Sequence, residues 1–310
     1  MKVKLIFSIL VVAVLFVGKV NAQIIPYEAE TDGYLYSEFE VEASAEFEIQ
    51  IEKEYCKEKE KSSGKYLSIL TYNIWKNNRK LTVHADVIKC SGADVVAVQE
   101  ILGARNFRRL KNLTGLDGQM CVTLNIPFFQ YGIAMLWRPE LGPPMEIENV
   151  KIRSSRNDAD RRRAYIIAEF ADFCFVATHF SLYQGDRIRM TDSIINHPIT
   201  RRCISVGKPV FVAGDINAQP FQPTIARFEE AGFEVLNNTA RTDEYQTRPS
   251  RQLHEKRYKD ATRASGAMID LILGHPSGQE ILVRDIPCFP KDWLMVVSDH
   301  FPYRVVVRLK

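Results

Sequence analysis

The sequence predicts an α/β fold in which mixed β-sheets pack on one another with helices outside. Three observations lead there. Apolar runs of strand length, rich in Val, Ile and Phe, recur from Tyr66 to the C-terminus. Segments with apolar residues at helical spacing separate some of these runs. Other neighbouring runs have no helix between them, whereas a purely parallel sheet needs a crossover at every step.

Tyr66–Trp75, YLSILTYNIW, is dense in β-formers. Residues 79–91 place Leu81, Ala85 and Ile88 on one helical face, and Gly92 is a natural stop. DVVAVQE, ending at Glu100, is a short buried strand, and NFRRLKNLTG is a helix turning out at Gly115. YGIAMLWR, AYIIAEF and FCFVATHF follow as strands, and residues 186–205 as one helix. PVFVAGDIN is a strand in which Gly214 lets the chain turn tightly and Pro220 stops it. PTIARFEEAG is a helix opened by Pro223, and MIDLILGH and FPYRVVVRL are the last strands.

The chain has 310 residues, 46% hydrophobic and 25% charged, an ordinary globular balance with ample core material. Residues 1–22 have the layout of a cleavable signal peptide: Lys2 and Lys4, an apolar run from Leu5 to Val17, and Ala22 before the expected cut. That run is shorter than the roughly 20 residues a spanning helix needs, so a secreted or periplasmic product with no stable membrane span is expected. Residues 23–65 hold 12 acids and 5 lysines and read as a separate extension, either a tether or a docking segment whose partner the sequence does not name. Residues 66–310 form the main domain, carry +7, and suit an anionic partner. The six cysteines match no zinc spacing; Cys174, in an apolar run, is expected to be a buried thiol.

Six apolar strands end in, or carry near one end, an acid, amide or histidine. These are Asn73, Glu100, His179, Asp215 with Asn217, Asp270, and Asp299 with His300. Singly, such residues are most often turn formers. Asp270 is different, because an acid inside an apolar run needs a partner. If the strand ends share one edge, the carboxylates converge, and two of them about 4 Å apart repel by roughly 4 kcal/mol at an effective dielectric of 20. A divalent cation is the natural remedy. A set of oxygen donors without paired cysteines favours Mg²⁺, Mn²⁺ or Ca²⁺ over zinc.

TYNIW, ADVVAVQE, ATHF, GDINAQP, MIDLIL and SDHFP, in this order, resemble the motif series of the endonuclease/exonuclease/phosphatase superfamily over residues 66–310. The resemblance implies a four-layered α/β sandwich, with two mixed sheets face to face, and Mg²⁺-dependent hydrolysis of a phosphoester. It implies Glu100 as main metal ligand, helped by Asn73 and Asp299. Asp215 would orient or deprotonate the attacking water, or hold a second metal, and Asn217 would bind a phosphate oxygen. His300 would act on phosphate or water with Asp270 fixing its tautomer, and His179 would donate to a phosphate or leaving oxygen. In nuclease members an acid or amide before the "TH" motif contacts its histidine or the phosphate. Here that strand reads Tyr131-Gly132-Ile133-Ala134, leaving Tyr131 as a candidate phosphate donor, with Arg163 as a second candidate.

Arg153, Arg156, Arg161, Arg162 and Arg163, with Arg187, Arg189, Arg248, Arg251 and Lys256, frame an anionic groove or else decorate exposed loops. The expected substrate is nucleic acid, with a phospholipid or sugar phosphate as alternatives. The expected state is a monomer. A catalytically inactive binding module of the same fold is the reading from another class.

Overall fold

The computed structural model describes residues 65–76, 81–126, 129–154, 162–237, 268–287 and 298–309. The expected signal peptide 1–22, and the extension 23–65 apart from Lys65, lie outside the described residues.

The elements in order are β1 (Lys65–Asn73), α1 (Leu81–Ser91), β2 (Val95–Ile101), α2 (Gly103–Thr114), β3 (Asp117–Ile126) and β4 (Phe129–Trp137). A short 3-10 turn (Pro139–Leu141) leads to β5 (Glu146–Arg153), β6 (Arg162–Glu169), β7 (Cys174–His179), α3 (Gln184–Ile195), α4 (Pro198–Ser205) and β8 (Val210–Asp215). Then come α5 (Pro223–Glu230), β9 (Glu234–Val235), β10 (Asp270–His275), β11 (Ile281–Asp285) and β12 (Tyr303–Leu309). Sheet one has the order β11-β12-β1-β2-β4-β3 and sheet two β5-β6-β7-β8-β10-β9. Each is mixed. One central pair is parallel, β1/β2 in sheet one and β7/β8 in sheet two, and the remaining pairs are antiparallel.

The two-residue period of a strand builds the layers. Along β7, Phe175 and Ala177 join the core between the sheets, while Cys174 and Val176 join the outer core. Along β8, Phe211 and Ala213 face inward, and Val210 and Val212 outward. In sheet one, Leu67, Ile69, Val95 and Ala97 meet the same inner core, while Leu70, Tyr72, Val96 and Val98 pack outward. Leu81, Ala85 and Ile88 of α1 and Leu110 of α2 cover that outer face. Met190 and Ile194 of α3, Ile199 and Cys203 of α4, and Ile225 and Phe228 of α5 cover sheet two. Each fully buried Leu, Ile or Phe contributes about 1.5–3 kcal/mol. The result is a helix–sheet–sheet–helix sandwich.

Gly115 ends α2 in the left-handed region, at φ 72°, with its N–H on Lys111 O. The single helix expected over 186–205 is two. Pro198 lacks an N–H and clashes with a preceding turn, so α3 stops at Ile195 and α4 restarts with His197 accepting the Ile199 N–H at 3.3 Å. Gly214 does not turn the chain. It lies inside β8 opposite Thr178, where a Cβ would stand 2.1 Å from the Thr178 carbonyl oxygen. The need is close approach of two backbones. Pro220 comes five residues after β8 has ended; Asn217, at φ 51°, makes the bend.

Under α1, the Tyr72 hydroxyl lies 3.0 Å from His84 Nδ1, with both residues fully buried. Burial pushes the His84 imidazole down to about 3. His84 is therefore neutral when folded and protonates near 6.5 when unfolded. The unfolded chain binds the extra proton between these values, so stability falls as pH drops from about 6.5 toward 3, at up to about 1.4 kcal/mol per pH unit. Chemical denaturation should show this slope between pH 6.5 and 5, above the range of ordinary carboxylates. His84→Phe should flatten it there; an unchanged slope would refute the assignment.

Candidate active site

The inner face of each central strand ends in a polar residue at the same rim. On β7 the series Phe175, Ala177 continues to His179; on β8, Phe211, Ala213 continues to Asp215. On β10, Asp270 precedes inner-facing Ile272. His179 is paired in register with Asp215, and Asp215 with Asp270, so the three form one row across sheet two. From sheet one, Asn73 is the last residue of β1, and His300 precedes β12 by three residues.

Glu100 reaches the rim by a different device. Between Val98 and Ile101, Gln99 and Glu100 of β2 oppose Ile133 alone on β4. That bulge holds Glu100 at φ 65°. Three non-glycine residues have positive φ among the described residues, Trp75, Glu100 and Asn217, and each borders this cluster. Such backbone costs of order 1–3 kcal/mol each and persists where the surroundings over-determine it.

The side chains meet. His300 Nδ1 lies 2.7 Å from Asp270 Oδ2, and His300 Nε2 lies 3.8 Å from Asp215 Oδ2. His179 Nε2 approaches the same Asp215 oxygen at 3.3 Å from the other side, and Asn73 Nδ2 donates to it at 3.1 Å. Asp215 Oδ1 accepts the Asn217 N–H at 3.0 Å. Asn217 Nδ2 donates to Phe180 O at 3.0 Å, which leaves one amide hydrogen for a ligand. The Tyr131 hydroxyl stands 3.4 Å from His179 Nδ1 and is close enough to Glu100 to feel its charge. Tyr131 and Asp215 are thus the neighbours of His179. Glu100 accepts the Lys76 N–H at 2.9 Å, and Lys76 Nζ sits 5.8 Å over the Tyr131 ring. Asp299 is close enough to act on His300. Arg163, half-buried on β6, is felt by both Asp215 and Tyr131.

Burial works against charge throughout the cluster, and the partners outweigh it. Burial opposes ionisation of Asp215, yet His179, His300 and Arg163 hold it well below the carboxylate range. Burial likewise opposes Glu100, and His179 and the Lys76 N–H pull it down. For His300, burial lowers the pKa, but Asp270, then Asp215 and Asp299, raise it to about 9. Burial and then Glu100 keep the Tyr131 hydroxyl protonated. At neutral pH the site holds ionised carboxylates against an imidazolium.

Oxygen atoms of Asp215 and Asp270 and a nitrogen of His300 lie within 4.8 Å of one another. His300 Nδ1 and Asp270 Oδ2 already share a proton at 2.7 Å, so this group is a hydrogen-bonded dyad beside an acid rather than an open ligand set. Glu100, Asn73 and Asp299 offer oxygen donors, the type a hard divalent ion takes.

Sequence reasoning missed three contributors. Ser298 Oγ donates to Asn73 O at 2.6 Å and accepts the His300 N–H at 3.2 Å, tying the approach to β12 to the end of β1. Asn237 donates to Asp270 O at 3.0 Å and accepts the Ile272 N–H at 2.9 Å. Lys76 directly follows TYNIW, and its backbone holds Glu100. Ser298 was within reach as the start of SDHFP; Asn237 had no local signal. The arginine groove shrinks. Arg187 is 7% exposed and donates to Leu182 O and Thr224 Oγ1, and Arg189 pairs with Asp186 and Arg153 O. Both brace the start of α3. Arg156, Arg161, Arg248, Arg251, Lys256 and the side chain of Arg162 lie outside the described residues.

A sandwich of two mixed sheets with a carboxylate–histidine cluster at one rim defines a phosphoesterase-type fold. The chain belongs to the Endonuclease/Exonuclease/phosphatase family, which it matches over residues 70–300. Members are generally phosphoesterases and generally depend on a divalent metal. The chain is similar to a family member from Bacteroides vulgatus, at 19% identity and TM-score 0.61, covering 79% of this chain and 100% of that one. It is similar to a mannosyl-6-phosphatase from Bacteroides thetaiotaomicron (16%, TM-score 0.56, 77% and 98%). It is also similar to the human Nocturnin catalytic domain with bound sulfate (13%, TM-score 0.55, 79% and 95%). No curated protein matches the sequence. Among the described residues no helix is long and apolar enough to cross a membrane.

Proposed function

We propose that the chain is an exported, divalent-metal-dependent hydrolase of phosphodiesters, with nucleic acid as its substrate class. One observation carries the reading: His179, Asp215 and Asp270 stand in register on one row, and His300 closes on it from the other sheet. Glu100, with Asn73 and Asp299, would hold the ion. Bound there, Mg²⁺ would draw charge from the phosphoryl oxygens and the leaving oxygen.

The remaining work belongs to the chain. Asp215, held ionised, accepts a hydrogen bond from the attacking water and aims it. His300 keeps its proton through Asp270 and presents Nε2–H to a phosphoryl oxygen. His179 and Tyr131 place further donors on the same side, and Asn217 offers its second amide hydrogen. Among the described residues, the cations beside this cluster are Arg163 and Lys76. So few cations beside the carboxylates of Glu100, Asp215, Asp270 and Asp299 suit the single charge of a diester better than a monoester dianion. Export is supported by residues 1–22 and by the disulfide at Cys90, since such bonds persist in oxidising compartments.

The purified chain should hydrolyse bis(p-nitrophenyl) phosphate and nick plasmid DNA with Mg²⁺, and stop in excess chelator. Turnover of sphingomyelin or sugar phosphates alone would overturn the nucleic-acid assignment. Turnover indifferent to chelator would overturn the metal. Nucleic-acid binding without turnover of any phosphoester would leave a binding module.

A further inference from the structure

Cys174 opens β7, and Cys203 lies in α4, the helix packed on that face of sheet two. The Lys208-Pro209 segment joins their backbones. The Lys208 N–H donates to Cys203 O at 2.9 Å, and Pro209 O accepts the Cys174 N–H at 2.8 Å. The two cysteines thus flank the two-residue segment Lys208-Pro209, and their side chains enter the same buried cluster. Their thiols lie close enough to act on each other. Cys121, the other free cysteine among the described residues, lies in the core between the sheets.

We propose that Cys174 and Cys203 are an oxidative modification site, a thiol pair that becomes a disulfide stapling α4 to the start of β7. Both are free thiols in this structure, and Cys90 is disulfide-bonded. The reaction needs a disulfide donor, for example oxidised glutathione. One of the two thiolates attacks a donor sulfur and releases the first donor thiol. The other thiolate then attacks the protein sulfur of the mixed disulfide, breaks that bond and releases the second. Two protein thiols are oxidised and one donor disulfide is reduced to two thiols. Both groups are fully buried, so the exchange belongs to folding, before α4 docks. The bond closes a loop of about 30 residues, long enough to restrict the unfolded chain appreciably.

The test is to produce the full chain through an oxidising secretory route and, in parallel, in a reducing cytosol. Each sample is denatured in excess alkylating agent and digested with trypsin. Cleavage yields residues 164–187 with Cys174, and residues 203–227 with Cys203, because Lys208 precedes Pro209. In the oxidised sample these peptides should appear cross-linked and unalkylated; in the reduced sample both should be alkylated. Cys90 is the internal control. Alkylated Cys174 and Cys203 beside a bonded Cys90 would overturn the proposal, as would a link from either to Cys121. Dithiothreitol should also lower the Tm of the oxidised protein by about 5–10 °C more than that of C174A/C203A, which keeps the Cys90 bond. An equal drop in both would count against the staple.

Discussion

His300→Ala is expected to lower kcat for phosphodiester hydrolysis by about 10²–10⁴-fold while KM changes little. His300 is a donor held in place from several sides. Asp270 takes its Nδ1 proton at 2.7 Å, Ser298 takes its backbone N–H, and Nε2 is turned toward Asp215. A group fixed this way and aimed at developing charge contributes mainly in the transition state, so its loss appears in kcat. Asp270→Asn keeps the shape but removes the negative charge that holds the imidazole proton, so it should lose nearly as much. The double variant should lose little more than the worse single one, because the pair acts as a unit. Bis(p-nitrophenyl) phosphate kinetics on the three variants, with Tm measured alongside, settle the point. Additive losses would dissolve the dyad, and full activity of His300→Ala would end the catalytic assignment.

What the sequence disclosed follows burial. β1, β2, β4, β6, β7, β8, β10 and β12 were legible because central strands covered on both faces read as unbroken apolar runs. β3, β5, β9 and β11 were not, and these four are the edges of the two sheets. β5, EIENVKIR, has no buried residue, and β11, ILVRD, alternates half-buried with exposed positions. Their strand character comes from pairing with a neighbour, which local composition does not carry. The site divides the same way. Asp215, Asp270 and His179 stood out as polar residues terminating apolar strands, and a two-residue period places them on one face. Glu100 was found for the same reason, but the bulge that turns it inward has no signature in VVAVQE. Asn237 and Ser298 act through backbone groups of residues 33 and 225 positions away, a relation only the fold creates.

Glu100→Gly should separate activity from stability, with the two moving in opposite directions. Glu100 sits at φ 65°, where an L-residue is strained and glycine is not. Its carboxylate is withdrawn from water and repelled by Asp215, against the pull of His179 and the Lys76 N–H. Glycine relieves the first two, at the cost of the attraction to His179 and the hydrogen bond from Lys76. The relief from αL strain is about 1–2 kcal/mol, comparable to one hydrogen bond, so Tm should hold or rise by a few degrees. Mg²⁺-dependent turnover should fall by about 10²-fold or more, because the anion proposed to hold the ion is gone. Glu100→Gln is the control. It preserves the acceptor for Lys76 and the strained φ and removes only the charge, so activity should collapse as far while Tm gains less. If Glu100→Gly unfolded the domain, the bulge would be a structural necessity. If it stayed active at low Mg²⁺, the ion would be held elsewhere, with Asp215 and Asp270 next in line. The expected result, a sturdier and inert protein, would mean that the backbone strain around the rim is maintained for chemistry.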